Sequence, residues 1–70
     1  MNVKFEILKH IAVLSKSKNW TKELNIVKWE DNPPKYDIRN WDIKHEIIGK
    51  GVTLDQEEME ILVSSMLKKL

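Results

Sequence analysis

Aromatic and cationic side chains share one side of a short predicted strand, Lys35–Trp41. Side chains alternate between the two faces of a strand, so Lys35, Arg39 and Trp41 share one face. An indole ring can stack on a nucleobase, and a guanidinium or ammonium group can neutralise a phosphate. This spacing therefore indicates an aromatic and basic surface that binds nucleic acid.

Tryptophans and lysines with the same chemistry occur elsewhere in the chain. The candidate nucleic-acid-binding residues are Trp20, Lys22, Lys28, Trp29, Lys35, Arg39, Trp41 and Lys50. Each has a structural alternative, because a tryptophan in a small β domain is often part of the core and a lone lysine is often a solvated charge. Arg39 could equally form an ion pair with Asp37 on the same predicted face. Trp20 lies on the same predicted strand face as Leu24 and Ile26, so it could instead belong to the core.

The residues that could carry catalysis or hold a metal lack the spacing that such sites need. His10 and His45 have no paired-ligand pattern around them, so each is interpreted as a surface or strand histidine. Gly49-Lys50-Gly51 does not match a nucleotide-binding loop and is interpreted as a turn. We therefore predict that the protein is not an enzyme and needs no metal or cofactor.

Length and charge favour a small basic domain that associates with a second copy. The 70 residues are treated as one domain, 1–70. A chain of this size buries only about 60% of its unfolded surface, and it contains no cysteine for a disulfide, so a homodimer is expected. Residues 1–54 carry ten Lys or Arg against seven Asp or Glu, whereas residues 55–70 carry two against four. The lack of cysteine, of a signal peptide and of a membrane span predicts a cytoplasmic protein, and the expected nucleic-acid binding would associate it with the nucleoid.

Alternating apolar residues and turn signals predict an antiparallel sheet of four strands. We expect strands at Val3–Leu14, Trp20–Trp29 and Lys35–Trp41, with a bulge near residues 9 and 10 and a proline-containing turn before the third strand. A short fourth strand, Val52–Leu54, is expected to follow the Gly-Lys-Gly turn.

The alternation also divides the sheet into two predicted faces. Leu24 and Ile26 are assigned to an inner face that forms the core. Trp29, Arg39 and Trp41 then lie on an outer face that no other element covers. An uncovered face with two tryptophans is an apolar patch that favours a ligand or partner.

A C-terminal helix is the most clearly marked element. Asp55 at the N-cap and Glu58 three residues later form a capping box. An apolar stripe at three- and four-residue steps consists of Met59, Leu62, Val63, Met66 and Leu70. We expect this helix to cover one face of the sheet, with its apolar stripe forming either core or a dimer interface, which makes the fold α+β with the order β-β-β-β-α.

The runs Lys35–Trp41 and Gly49–Leu54, followed by an acidic helix start, resemble the transcriptional coactivator p15 (positive cofactor four) family. The segments Lys4–Ile7, Trp20–Asn25 and Pro34–Arg39 extend the resemblance along nearly the whole chain, which is most similar to the small bacterial YdbC-type members. The resemblance implies a whirly-like fold of a curved four-stranded antiparallel sheet and one C-terminal helix. It also implies a homodimer formed through the helices, with single-stranded DNA held on the sheet.

Within this resemblance, Arg39, Trp41 and Lys50 correspond best to the family pattern, and Trp29 corresponds if the longer turn here is allowed for. The connection Asp42–Ile48 is shorter than in the eukaryotic members, so their coactivator function is not implied. We predict a homodimeric single-stranded DNA-binding protein with little sequence preference that acts in transcription, replication or repair. Two other functions stay open, a protein-interaction module that uses the bare sheet face and an RNA-binding regulator.

Overall fold

The computed structural model describes residues 3–70 and has four strands followed by one helix. The elements are β1 Phe5–Lys16, β2 Trp20–Trp29, β3 Lys35–Asp42, β4 Ile48–Leu54 and α1 Gln56–Lys69. The strands form a single sheet in chain order, and each pairs with its neighbour in antiparallel fashion. The predicted α+β architecture, a four-stranded antiparallel sheet with one C-terminal helix, is confirmed.

Strand β1 departs from regular pairing at three places. Its register against β2 shifts between Ile7 and Lys9, between His10 and Ala12, and between Val13 and Ser15. Each shift places one extra residue on β1, which bends a strand and increases its twist. The bulge predicted near residues 9 and 10 is therefore confirmed as one of a series, and the strand continues to Lys16.

Strand β4 contains the Gly-Lys-Gly segment that was predicted to be a turn. This prediction is wrong, because Gly49 and Gly51 lie inside β4 and neither has a positive φ. A Cβ atom on Gly51 would clash with the Arg39 side chain and would lie 2.7 Å from the Arg39 Cα, and one on Gly49 would lie 2.6 Å from the Asn40 carbonyl oxygen. The glycines are therefore needed because the neighbouring strand approaches closely, and not because the chain turns.

The buried residues lie on the sheet face that was predicted to be the outer one. The fully or almost fully buried side chains are Glu23, Asn25, Val27, Asp37 and Trp41. The predicted core residues Leu24 and Ile26 point to the opposite face and are only half-buried in the single chain. The alternation was predicted correctly, but the assignment of the inner face was wrong, since the polar residues of the buried face satisfy one another.

Helix α1 begins as predicted but does not cover the sheet. The Asp55 carboxylate accepts from the Glu58 N–H at 2.8 Å, and the Glu58 carboxylate accepts from the Asp55 N–H at 2.9 Å, which completes the capping box. The helix contacts only β3 and β4, and none of its residues is buried. The expectation that it covers one sheet face is therefore wrong for the single chain. Within residues 3–70, the structure contains no helix with the length and apolar character needed to cross a membrane.

Candidate nucleic-acid interface

Two faces of the sheet can be defined from the strand register. Residues that pair directly across β2 and β3 share a face, and Thr21 pairs with Trp41, Glu23 with Arg39. We call this side, which also carries Trp29, the Arg39 face. The other side is the Tyr36 face, where the first helical residue, Gln56, lies beside Tyr36 around one small cavity.

A cluster of aromatic rings fills one end of the Arg39 face. The rings of Trp29 and Trp41 are nearly parallel, with centroids 6.3 Å apart and an interplanar angle of 7°. Phe5 lies 5.7 Å from Trp29 and 5.0 Å from Trp41, and His45 stacks on Trp41 at 5.6 Å. Each distance falls in the range of favourable aromatic pairing. The cluster therefore joins β1, β2, β3 and the connection after β3.

Trp41 occupies the centre of this cluster and has no exposed surface. The predicted stacking of a base directly on Trp41 therefore does not fit this conformation, because Phe5, Trp29 and His45 already surround the indole. The indole N–H groups of Trp29 and Trp41 are buried without a hydrogen-bond partner in the described residues. Each such donor costs about 1–3 kcal/mol unless a partner reaches it.

Arg39 forms the ion pair that was the structural alternative in the sequence. Its Nε and Nη2 atoms donate to the two carboxylate oxygens of Asp37 at 2.8 Å and 2.9 Å, and its Nη1 donates to the Gly49 carbonyl oxygen at 3.0 Å. The Asp37 side chain is fully buried and the Arg39 side chain is 14% exposed. The guanidinium carbon also lies 4.8 Å from the centre of the Trp29 ring. Arg39 therefore helps to position the Trp29 ring. Only a small part of the Arg39 side chain stays exposed to a ligand.

An open cavity on the Arg39 face brings three predicted site residues together. Trp29, Lys35 and Arg39 line it, together with Thr53 and Ile48 from β4. Its volume is about 390 Å³. Lys35 is exposed at the start of β3, and Trp29 is half-buried. This cavity is where the structure combines an aromatic ring with two positive charges.

The remaining four predicted site residues lie away from this cavity, and their strand positions assign them to the Tyr36 face. Trp20 and Lys50 line a separate depression with Asn40. The Lys28 ammonium donates to the Glu30 carbonyl oxygen at 2.5 Å, and Lys22 is exposed on β2. The eight candidate residues therefore do not form one continuous surface in a single chain.

A polar network beside the aromatic cluster was not predicted from the sequence. Its centre is the Glu23 carboxylate, which is 4% exposed. It accepts from Thr21 Oγ1 at 2.5 Å, from Asn25 Nδ2 at 3.2 Å and from His45 Nε2 at 2.8 Å. Because Asn25 donates with its nitrogen, its oxygen accepts, and His10 Nδ1 donates to that oxygen at 2.7 Å.

The network keeps Glu23 ionised in spite of its burial. Desolvation raises the pKa of a buried carboxyl, but the hydrogen bonds from Thr21, Asn25 and His45 outweigh it, so the pKa of Glu23 lies below its ordinary value of 4.5. The polar run Thr21, Glu23, Asn25 at every second position was the available sequence signal. The two histidines come from distant positions and carried no such signal. In residues 3–70 no group of three or more acidic or histidine side chains has the geometry of a metal site.

Together these features define an α+β protein whose single sheet carries an aromatic and polar face with an adjoining basic cavity. The chain is 41% identical over 59 residues to an uncharacterized protein of Treponema pallidum (strain Nichols). The match covers 83% of this chain and 69% of the Treponema protein, so the chain belongs to the same family as that protein. No model of a protein family matches the chain, and the resemblance to the p15 family stays a prediction.

Proposed function

We propose that the protein binds single-stranded DNA with little sequence preference and acts as a homodimer in transcription, replication or repair, in the cytoplasm at the nucleoid. The observation that carries this proposal is the cavity on the Arg39 face, where the Trp29 ring meets Lys35 and Arg39. Single-strand binding without sequence readout needs π surfaces for bases and cations for phosphates, and both are present there.

The chemistry of the cavity favours a flexible polyanion. Lys35 extends from an exposed strand end and is free to follow a phosphate, whereas Arg39 is held by Asp37 and contributes a fixed positive edge. Residues 1–54, the part of the chain that includes the sheet, carry the excess of positive charge. The cavity is open to solvent, so a nucleotide of an extended strand can reach it.

Association of two copies is supported by apolar surface that the single chain leaves uncovered. On α1 the side chains of Leu62, Val63 and Met66 are 45–58% exposed, and Leu67 is 68% exposed. A protein of this size seldom leaves a contiguous apolar helix side in water. Packing of this side against a second copy would remove it from water and provide the core that one chain lacks.

The proposal is tested by fluorescence anisotropy with labelled oligo-dT of about 20 nucleotides, which is longer than the roughly 4–16 nucleotides that one single-strand-binding fold typically occupies. Affinity is expected to fall with salt, and each phosphate contact contributes a slope of about −0.7 in a log-log plot. Lys35→Ala is expected to reduce that slope by about 0.7, whereas the control Lys68→Ala, at the end of α1, leaves it unchanged. Absence of oligo-dT binding at low salt would contradict the proposal.

A further inference from the structure

We propose that His45 is a removable cover over a second base-stacking surface, the ring of Trp41, and that an incoming nucleobase takes the place of the imidazole. This inference rests on the proposed function, because the ligand is a base of single-stranded nucleic acid. It explains how the tryptophan at the centre of the aromatic cluster can be buried in the free protein and still bind a ligand. It also gives a role to His45, a residue that the proposed function does not use.

The imidazole of His45 already occupies a stacking position. Its centroid lies 5.6 Å from the Trp41 centroid with an interplanar angle of 29°. An imidazole is a small planar heteroaromatic ring, so it stacks on the indole in the same way as a nucleobase but with less contact area. A larger base that replaces it would gain stacking area on the same surface.

Of the three aromatic neighbours of Trp41, His45 is the one that lies outside the strands and can leave without breaking the sheet. The other two aromatic neighbours, Phe5 and Trp29, pair directly with each other across β1 and β2. His45 instead belongs to the connection between Asp42 and β4, outside any strand. The connection is anchored at its start, where the Asp42 carboxylate accepts from two backbone N–H groups at 2.7 Å. Such an anchor can hold the chain in place while the side chain swings away.

The backbone of His45 has a positive φ of 57°, in a region that is uncommon for residues other than glycine but is enriched in asparagine, aspartate and histidine. Its side chain is held by the hydrogen bond from Nε2 to Glu23 at 2.8 Å. If His45 leaves, Glu23 keeps its bonds to Thr21 and Asn25, so no buried charge is abandoned.

The Trp41 side chain also has an unused hydrogen-bond donor. The Trp41 indole N–H is buried and has no partner among residues 3–70. Every nucleobase carries ring or carbonyl acceptors at its edge, and the N–H lies in the indole plane, so a nucleotide beside the stacked base can bring an acceptor toward this group.

The test compares His45→Asn with His10→Asn. Asparagine tolerates the positive φ at position 45 but has no ring, and position 10 belongs to the same Glu23 network without touching Trp41. Two quantities are measured, acrylamide quenching of tryptophan fluorescence in the free protein and affinity for oligo-dT of about 20 nucleotides. A second variant, His45→Gly, removes the ring and relaxes the backbone if the asparagine variant does not fold.

We expect the position-45 variants to raise the quenching constant, and to lose that rise when combined with Trp41→Phe. We also expect them to tighten oligo-dT binding about five-fold, which corresponds to the lower end of base-stacking energies. His10→Asn should change neither quantity. Unchanged quenching in the position-45 variants would overturn the proposal that His45 covers the Trp41 ring.

If the protein binds oligo-dT and the variants show raised quenching without tighter binding, the proposal that a nucleobase stacks on Trp41 is overturned. If neither the wild-type protein nor the variants bind oligo-dT at low salt, the proposed function fails, and with it the assignment of the ligand. These two outcomes differ in whether the wild-type protein binds at all.

Discussion

Replacing Asp37 with asparagine tests whether the ion pair with Arg39 holds the Arg39 face together. Asparagine keeps the shape of the side chain but removes the charge that two guanidinium N–H groups share at 2.8 Å and 2.9 Å. Breaking a fully buried pair costs about 3–5 kcal/mol. Because the Arg39 side chain keeps 14% exposure and can gain some hydration, we expect about 2–4 kcal/mol here.

This loss is large relative to the whole stability of the domain. At about 0.05–0.15 kcal/mol per residue, a chain of this length is stable by about 4–10 kcal/mol. The measurement is urea unfolding followed by circular dichroism at a fixed protein concentration, since dimerisation makes stability depend on concentration. The matched control is Asp31→Asn, a conservative change at an exposed turn position, which should stay within about 0.5 kcal/mol of wild type.

Equal stabilities of Asp37→Asn and Asp31→Asn would refute this reasoning. Arg39 would then be a solvated cation held by its contacts with Trp29 and Gly49 alone. A double-mutant cycle with Arg39→Met would confirm the assignment, because the loss caused by Asp37→Asn should mostly disappear when the guanidinium is absent.

Three further predictions follow from the same geometry. Gly51→Ala should destabilise the protein by about 2 kcal/mol or more in urea unfolding, because its new Cβ would overlap the Arg39 side chain, and a cost within about 0.5 kcal/mol would contradict the close strand approach. Glu23→Gln should lower stability at about pH 7 and flatten its decline in acid. The lowered pKa of Glu23 contributes stability that is present above about 4.5 and is lost as the pH falls through the folded-state value, so an unchanged acid profile would contradict this role. Trp29→Ala should weaken oligo-dT binding about five-fold or more in anisotropy titrations, whereas equal weakening by Trp20→Ala would place the site on the wrong face.

The alternation of β2 and β3 was predictable from the sequence, but the buried side of the sheet was not. The period of two correctly put Trp29, Arg39 and Trp41 on one face. Hydrophobicity then favoured Leu24 and Ile26 as the core. The structure buries the face that carries Glu23, Asn25 and Asp37 instead. Those charges and amides are satisfied by histidines and an arginine that alternation alone cannot bring together.

In the second half of the chain, the sequence predicted structure correctly only where the interacting residues are close neighbours along the chain. Asp55 and Glu58 mark the helix start, since a capping box needs just four consecutive residues. The role of Gly51 depends on the neighbouring strand, so a local interpretation as a turn failed. The packing of α1 could not be predicted for a related reason, because apolar side chains such as Leu62, Val63 and Met66 stay about half-exposed within residues 3–70.

The most direct test of the central claim is the ¹H–¹⁵N spectrum of the three tryptophan indole groups during titration with oligo-dT. Binding on the Arg39 face predicts shifts of the Trp29 and Trp41 indole signals, while the Trp20 signal stays in place. Shifts confined to Trp20, or no shifts at saturating oligo-dT, would contradict the account.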